Sequence, residues 1–583
     1  MHYFAHNRLP TGIQRVQIEL FRVSQLRADA ERIAACTFDP ARRCWVTLPP
    51  QLLAAVCAAA VQPDLPEAAG PAAQPGVWER LTQQLSRTVA SAPAAGFAPG
   101  NVLVNIGSSW WIPNYMRYVR HQQREAGLLY APFIHDCIPI KTPECCSSEL
   151  VGEFREWFTE AMQTADVVLA NSECTARDVK QVALDFGAQA PEPHVVRLDA
   201  QFEARLPDSG PAFDRLAATV HARHGLGGPF ALFVATVEVR KNHIFVFQCW
   251  KRLIERHGAD AVPDLVCVGK QGWLVEFTLN WLRVHADLAG KIRMIGTVAD
   301  LDLAVLYRTA AFSVYCSFYE GWGLPVTESL SHGRVALVPD HSSLPEAGGP
   351  FAAYYVPGSP DSFCAQATRL LDPRHRAGLE AAIRARFRPR AWEDVLDQVL
   401  ATVREAPAQP RRDGAGDFCV QPGQTYSFAG AARGVGAEDG PRRGQRMQHG
   451  LGWWNSEPWG CWSRLAEAQL LFSLPPDLAP GSHLYLVLRG GPNELSVQVE
   501  IGHHAARGLK LHSSQRRLLR LPLDRLGGGG VLVRLASPLY SLADHTGGGD
   551  PREIGFGIEA LAVIATDDVM ARCEMMEQML MAG

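Results

Sequence analysis

The feature that most constrains this chain is a change of apolar periodicity near residue 400. Before it, short β-rich apolar runs alternate with longer helical patterns, which is typical of parallel sheets with crossover helices. After it, apolar residues recur at every second position, as in Leu484, Leu486 and Leu488, between Gly/Pro turns. The sequence therefore predicts an α/β region followed by an antiparallel β-sandwich or jelly roll.

Nine apolar runs in the first 400 residues have the length and composition of buried strands. A polar stretch at 200–228 separates the first four runs from the last five and predicts a joint between two α/β domains. We therefore predict α/β domains at 1–205 and 206–405, the second ending in a return helix, a linker at 406–416 and an accessory sandwich at 417–583. The runs are 101–106, 129–134, 166–170, 194–198, 230–236, 265–268, 293–297, 312–316 and 335–338.

Composition excludes several classes of protein. The 56 basic and 60 acidic residues leave a net charge of −4 without long runs of one sign, which argues against non-specific binding of nucleic acid. No apolar window reaches the length of a membrane span, and the first ten residues lack the apolar core of a secretory signal. The 14 cysteines form no C-x-x-C pair and no zinc spacing with histidine, so we expect reduced thiols in a cytoplasmic protein.

The stretch FSVYCSFYEGWGLPVTESLSHG, 312–333, carries the clearest chemistry. A strand leads into a glycine-rich loop with Glu320, and a helix begins near Pro325 and ends before Gly333. Such a loop lies where α/β proteins hold phosphates, at a helix N-terminus beyond a parallel strand. Glu320 and Glu328 are eight positions apart and can contact two ends of one hydroxyl-rich ligand. The alternative is a solvent-facing loop Glu and a helix-capping Glu.

Two further loops follow predicted strands. Arg240 and Lys241 lie at a strand-to-helix junction, where adjacent cations can neutralise a diphosphate. A surface Arg-Lys pair is the alternative. The loop VGKQGW contains Lys270, and its signal is weak when it is taken alone.

Four motifs in this order and spacing resemble glycosyltransferase family 4, also called the group 1 glycosyltransferases. They are ATVEVRKNH, VGKQGW, IGTVADLDLAVLY and EGWGLPVTESLSHG, within residues 230–400. The resemblance implies the GT-B fold, in which two Rossmann-like domains face a cleft and the C-terminal one holds a sugar nucleotide. With the sandwich, the predicted fold class is α/β GT-B plus a C-terminal antiparallel domain.

The resemblance also implies roles for individual residues. Arg240 and Lys241 would bind the donor diphosphate, Glu328 the ribose, and Glu320 the transferred sugar. The other implied donor contacts are Gly12, Gly321, Trp322, Gly323, Leu324, Val298 and Lys270.

The segment TGIQRV predicts a helix with Thr11 as N-cap and Gly12 as a point of close approach. Ile13, Val16, Leu20 and Val23 share one face of that helix. The segment resembles the glycine loop of the family, which follows a complete first strand. Here ten residues precede it, so either that strand is abbreviated or upstream residues are missing, and we favour the second.

The segment FIHDCIP places His135 and Asp136 at the end of a strand. It resembles the mannosyltransferase-type members of the family, in which a histidine faces the transferred sugar. A structural histidine and an aspartate that caps a turn are the alternatives. Trp110 and Trp111 could form an acceptor platform or could belong to the core.

Four of the 14 tryptophans fall within ten residues of the last domain, in GWWNSEPWGCWS. The pattern resembles β-sandwich modules appended to bacterial polysaccharide-assembly transferases. Binding of a glycan or acceptor is one interpretation, and a structural edge or an oligomer contact is the other. The tryptophans are Trp453, Trp454, Trp459 and Trp462.

The resemblance implies retaining transfer of a hexose from a nucleoside diphosphate sugar, without metal or other cofactor. Glu320 and His135 would act by positioning and electrostatics.

GDP-mannose is the first candidate donor and a UDP-hexose the second. The acceptor would be a glycan or polyprenyl-linked oligosaccharide of bacterial surface polysaccharide synthesis, with peripheral contact at the inner face of the cytoplasmic membrane. Alternatives are another GT-B enzyme, such as an epimerase or phosphorylase, and a non-catalytic glycan-binding protein led by the sandwich.

Overall fold

A computed structural model describes most of the chain as three packed units. We call residues 12–200 the N-terminal unit, 206–406 the central unit and 418–581 the sandwich. The linker expected at 406–416 lies almost entirely outside the described residues, and the exact domain boundaries stay predictions. The described residues are 10, 12–60, 76–188, 190–200, 206–207, 209–272, 275–285, 288, 290–406, 418–430, 442–502, 507–523, 530–546 and 549–581.

The N-terminal unit is built on a parallel sheet with the strand order β3-β4-β5-β6. All six residues of its strand β4 are buried, because helices cover both faces of the sheet. Hydroxyls of Ser147 and Ser172 accept from backbone N–H groups and cap the helices α6 and α7. Its elements are α1 (Gly12–Ser24), β1 (Cys36–Asp39), β2 (Cys44–Thr47), α2 (Pro50–Ala60), α3 (Val77–Ser91), β3 (Val102–Asn105), α4 (Tyr115–Ala126), β4 (Leu129–Ile134), α5 (Ile138–Lys141), α6 (Ser148–Thr164), β5 (Val168–Ala170), α7 (Glu173–Asp185) and β6 (Pro193–Val195).

The central unit holds a second parallel sheet with the order β12-β11-β10-β7-β8-β9. Its helix α12 begins at Leu324 with Pro325 in the first turn, and Gly333 follows it with φ of 72°. The elements are α8 (Pro211–Arg223), β7 (Phe230–Val234), α9 (His243–His257), β8 (Asp264–Val268), α10 (Glu276–Val284), β9 (Ile292–Ile295), α11 (Asp300–Thr309), β10 (Ser313–Val314), α12 (Leu324–Ser331), β11 (Ala336–Pro339), α13 (Leu344–Gly348), β12 (Ala353–Tyr355), α14 (Pro360–Leu371), α15 (Pro373–Arg386) and α16 (Trp392–Arg404).

All nine predicted strands are present, and the predicted joint and the set of short strands differ from the expectation. The predicted joint contains α8, whose Ala217 and Val220 pack into the core of the central unit. The pattern also missed the hairpin β1–β2 and the strand β12, since strands of three or four residues show too few alternations. The last helix, α16, returns to pack against α1 of the N-terminal unit. No helix within the described ranges is long and apolar enough to cross a membrane.

The sandwich consists of two mainly antiparallel sheets around one core, as predicted. Leu484, Leu486 and Leu488 are fully buried in that core, and the predicted last helix covers the outer face of one sheet. The elements are β13 (Thr425–Ser427), β14 (Arg442–Arg443), β15 (Gln448–His449), β16 (Cys461–Trp462), β17 (Glu467–Ser473), β18 (His483–Arg489), β19 (Leu495–Ile501), β20 (Arg507–Leu511), β21 (Arg516–Pro522), β22 (Gly530–Ala536), β23 (Tyr540–Ser541), α17 (Ala543–Thr546), β24 (Glu553–Ile554), β25 (Gly557–Ile564) and α18 (Val569–Met581).

Two arginines of the N-terminal unit attach the sandwich to it. Arg117 is buried and donates to Gln448 Oε1 at 3.0 Å and to the Trp453 carbonyl at 3.3 Å. Arg43 donates to the same carbonyl at 2.8 Å and lies over the Trp454 ring, 4.8 Å from its centroid. The Trp453 indole is fully buried and donates to the Gln469 carbonyl at 2.7 Å. This part of the tryptophan motif is therefore a structural contact within the chain.

Replacing Arg117 by Met should lower the stability of the contact between these units. The variant leaves Gln448 Oε1 without its guanidinium donor and removes one of the two arginine donors to the Trp453 carbonyl, which keeps Arg43. Loss of such charge-assisted hydrogen bonds costs about 1.5–3 kcal/mol. Differential scanning calorimetry should show a lower transition temperature, whereas Arg87→Met, at an exposed position of α3, should change it little. Equal transition temperatures for the two variants would contradict the structural role of Arg117.

Candidate active site

The carboxyl ends of the two parallel sheets meet at one place. Gly321, in the loop after β10, lies so close to the end of β4 that an added Cβ would be 1.8 Å from the His135 carbonyl oxygen. Asn171, at the end of β5, donates to that same carbonyl at 2.7 Å. The glycine-rich loop and the HD segment are therefore neighbours, as the resemblance implies. Two parallel-sheet units that face each other, with the added sandwich, confirm the predicted fold class.

Polar contacts hold the two units together around this point. The Glu346 carboxylate accepts from the backbone N–H groups of Glu173 and Cys174, both at 2.8 Å, at the N-terminus of α7. A carboxylate is favourable there because the helix N-terminus carries partial positive charge. Arg15 donates to both oxygens of Asp300, at 2.8 and 3.0 Å, from the first turn of α1. None of these contacts was predicted, since each joins residues more than 170 positions apart in the chain.

A buried group of charges occupies the central unit's side of this edge. Glu320 Oε1 accepts from Arg240 at 2.8 Å, from the Tyr315 hydroxyl at 3.0 Å and from Lys241 Nζ. Lys241 also donates to the Tyr315 hydroxyl at 2.7 Å, and Arg240 donates to Glu238 at 2.7 Å. We call these five residues the charged cluster. It brings together three predicted residues and two, Tyr315 and Glu238, that the sequence analysis did not assign.

The charged cluster keeps Glu320 ionised. Burial alone would raise the pKa of Glu320, but Arg240 and Lys241 outweigh it and lower that pKa to about 2. Burial and the charge of Arg240 lower the pKa of Lys241, against the opposing effect of Glu320. In the structure the Glu320 carboxylate is therefore the anion beside Lys241.

Glu328 lies on α12, beneath the same loop. It accepts from the Tyr307 hydroxyl at 2.8 Å and is buried. Burial raises the pKa of Glu328, whereas the nearby charge of Arg15 lowers it. Glu320 and Glu328 thus have different partners, and neither is the solvent-facing residue of the alternative interpretation.

On the opposite side, His135 and Asp136 directly follow β4. His135 Nε2 lies 2.9 Å from the Ile106 carbonyl, and burial lowers the pKa of the imidazole to about 4. Asp136 Oδ1 accepts from the Ile138 N–H at 3.0 Å and so caps the turn, which was the alternative interpretation. Burial raises the pKa of Asp136, and Arg240 opposes the change.

The other predicted donor contacts occupy several places. Trp322 is buried, with the Arg197 guanidinium 5.6 Å from its ring centroid, and Gly323 has φ of 107° at the start of α12. Leu324 is the first residue of α12. Lys270 follows Gly269, whose added Cβ would be 1.9 Å from the Ala235 carbonyl, so this loop packs on the one after β7.

Two positions bear on the predicted nucleotide contacts. Gly12 begins α1, and no atom of the described residues lies within 4 Å of its added Cβ, so its role as a point of close approach stays a prediction. Val298 is half-buried beside the core of the central unit. Thr11, Trp273 and the residues before Pro10 lie outside the described residues. The predictions about the N-cap and about an abbreviated or missing first strand concern that part of the chain.

The two adjacent tryptophans separate. Trp110 packs edge-to-face against Phe154 and Trp157, with ring centroids 5.3 Å away in both cases. These contacts favour the core interpretation for Trp110, which is half-buried against the core of the N-terminal unit, and its acceptor role stays a prediction. Trp111 is 43% exposed, and its acceptor role stays a prediction.

Comparison with known proteins places this site in a family. The model of the family described as "Glycosyl transferases group 1" matches residues 228–373, which contain the whole charged cluster and Glu328. This segment is a group 1 glycosyltransferase domain. The glycosyltransferase domain makes up most of the central unit, as the four motifs indicated.

Similar proteins cover only part of the chain, and the chain covers only part of them. The serotype-specific mannosyltransferase WbdA of Escherichia coli is 28% identical over 242 residues, which are 41% of this chain and 29% of that protein. The O-antigen chain mannosyltransferase B of Escherichia coli is 33% identical over 173 residues, 29% of this chain and 44% of that protein. The chain thus spans less than half the length of either relative.

Among solved structures, Anabaena HepE in complex with UDP and glucose overlaps 56% of this chain and 82% of its own, with a TM-score of 0.41 and 14% identity. A UDP-forming trehalose-phosphate synthase from Burkholderia xenovorans overlaps 56% of this chain and 79% of its own, with a TM-score of 0.41 and 15% identity.

Replacing Gly321 by Ala should open the contact between the two sheets. The added methyl would overlap the His135 carbonyl. The side-chain and backbone shifts that remove such an overlap typically lower the free energy of unfolding by about 1–3 kcal/mol. We expect a lower melting temperature and faster proteolysis between the units. Gly378→Ala is the matched control, because an added Cβ there meets no atom within 4 Å. Identical behaviour of the two variants would argue against the close approach.

Stability should fall as the pH is lowered from about 6.5 towards 4, partly because of His135. Its folded pKa lies below the unfolded value, so the stabilisation is present above pH 6.5 and is lost as the unfolded state takes up the proton. In His135→Gln, the slope of unfolding free energy against pH should decrease by up to one proton, about 1.4 kcal/mol per pH unit. Denaturant titrations measure this, with His194→Gln at an exposed position as the control. An unchanged slope in His135→Gln would contradict the burial of a neutral imidazole.

Proposed function

We propose that the chain is a retaining glycosyltransferase that moves a hexose from a nucleoside diphosphate sugar to a glycan or polyprenyl-linked oligosaccharide. The observation that carries the proposal is the charged cluster at the meeting edges of two parallel sheets, inside a group 1 glycosyltransferase domain. Ligands of open α/β sheets bind at the carboxyl ends of the strands. The cluster lies at that end of both sheets.

Arg240 and Lys241 would stabilise the departing diphosphate. Charge developing on a leaving group is stabilised most by cations that are already held in a dry site, and both cations are held by Glu320 before any ligand arrives. We propose that these two cations and the N-terminus of α12 supply the positive potential, so that the reaction requires no metal. The departing phosphate would take the acceptor proton by front-side attack, so we assign no protein nucleophile.

The remaining residues would position the substrates. Glu320 and the backbone at 321–324 would hold the transferred sugar, and Glu328 the ribose. His135 would face the transferred sugar, in a neutral state because burial depresses its pKa, and Asp136 and Trp111 would line the acceptor side. Because the Ile106 carbonyl accepts from Nε2, the neutral ring carries its proton there and Nδ1 is its hydrogen-bond acceptor.

Mannose from GDP-mannose is the proposed donor sugar, and a UDP-hexose is the second candidate. The two Escherichia coli relatives are named as mannosyltransferases, and one of those names refers to the O-antigen chain, which supports surface polysaccharide synthesis as the process. A polyprenyl-linked acceptor would place the protein at the inner face of the cytoplasmic membrane through peripheral contact.

Thermal-shift measurements with GDP, UDP, ADP and their common sugars, in EDTA, test the donor proposal. A ligand at a hundred times its dissociation constant should stabilise the protein by about 2.7 kcal/mol. A shift with one nucleotide in EDTA would support a metal-independent donor site and identify the base. The absence of a shift with every nucleotide would favour the non-catalytic alternative. Consumption of the donor without any acceptor would favour an epimerase or phosphorylase.

Lys241→Ala should lower turnover at least a hundredfold, about 2.7 kcal/mol of transition-state stabilisation, because the leaving diphosphate loses a buried cation. Product formation from the selected sugar nucleotide measures this rate. Lys180→Ala removes a lysine whose side chain is 51% exposed and should leave the rate unchanged. A near-wild-type rate for Lys241→Ala in a folded protein would contradict the diphosphate assignment.

A further inference from the structure

Tyr307 lies behind Glu328, on the neighbouring helix α11. Its side chain is fully buried, and its ring stacks on the His332 ring with centroids 5.6 Å apart and an angle of 13° between their planes. Its hydroxyl donates to Glu328 Oε2 at 2.8 Å. The tyrosine is therefore held at its ring and delivers one hydrogen bond in a set direction.

This hydrogen bond selects one oxygen of Glu328. Among the described residues, Tyr307 is the hydrogen-bond donor to this carboxylate, and its hydroxyl contacts Oε2. Oε1 is thereby left to accept from a ligand. Burial and the neighbouring Glu328 raise the pKa of Tyr307 well above its ordinary value, so the hydroxyl stays protonated and remains a donor.

We propose that Tyr307 is a positioning residue that orients Glu328 so that Oε1 accepts hydrogen bonds from the ribose hydroxyls of the nucleotide. The last torsion of a glutamate side chain is broad, so a carboxylate without a fixed donor samples many orientations. A buried donor on one oxygen removes that freedom before the ligand binds, and preorganisation of this kind strengthens binding. The inference rests on the proposed function, in which Glu328 contacts the ribose.

Tyr307 acts through Glu328 only if its effect depends on the ribose hydroxyls. We would measure the dissociation constants of GDP and 2′,3′-dideoxy-GDP by calorimetry for the wild type and Tyr307→Phe, or of the UDP pair if UDP is selected. The wild type should prefer the ribose form by about tenfold or more. In Tyr307→Phe this preference should fall to about two- to threefold, with affinity for the dideoxy form changed less than about twofold.

Tyr354→Phe is the matched control. The Tyr354 hydroxyl donates to the Gly349 carbonyl at 2.7 Å in the same unit, so this variant also loses one hydroxyl hydrogen bond. It should keep the wild-type preference for ribose. If Tyr307→Phe does not fold, the same two dissociation constants are measured for Tyr307→Met.

The outcomes separate the two proposals. A Tyr307 variant that keeps the full ribose preference, or that weakens both ligands equally, overturns the positioning role and leaves the proposed function intact. A wild type that binds the nucleotide but does not prefer ribose overturns the assignment of Glu328 and this inference with it. A wild type that binds no nucleoside diphosphate overturns the proposed function itself.

Discussion

The close contact between Gly321 and the His135 carbonyl is the constraint on which the rest of the site depends. A glycine is required there for space and not for a special backbone angle, because any Cβ would overlap the end of β4. The contact brings the glycine-rich loop of one sheet onto the strand ends of the other. Glu346 at the N-terminus of α7 and Arg15 on Asp300 then hold the same two units at neighbouring points.

Burial and mutual pairing together explain the electrostatics of the charged cluster. Arg240, Lys241 and Glu320 are all largely shielded from water, where unpaired charges would be costly. Mutual pairing compensates that cost, and the Tyr315 hydroxyl adds a hydrogen bond to the same carboxylate oxygen. The cluster is thus ordered without a ligand.

Within the described residues, arginines of the N-terminal unit attach the sandwich. Arg43 and Arg117 both reach the carbonyl of Trp453, whose own ring belongs to the sandwich core. The ring of Trp453 thereby packs in the sandwich core, and its carbonyl binds the arginines that connect the sandwich to the N-terminal unit. The tryptophan density that suggested a glycan platform is partly explained by this structural contact.

The sequence by itself determined the class of fold and most members of the site. Strand and helix periodicity is local, so the parallel sheets, the sandwich and the loops of Glu320, Arg240 and Lys241 could be predicted from short windows. The pairing of Glu320 with both cations, the hydrogen bond from Tyr307 and the separation of Trp110 from Trp111 could not. Only the tertiary structure decided them, because each depends on distances between elements far apart in the chain, where periodicity and spacing carry no information.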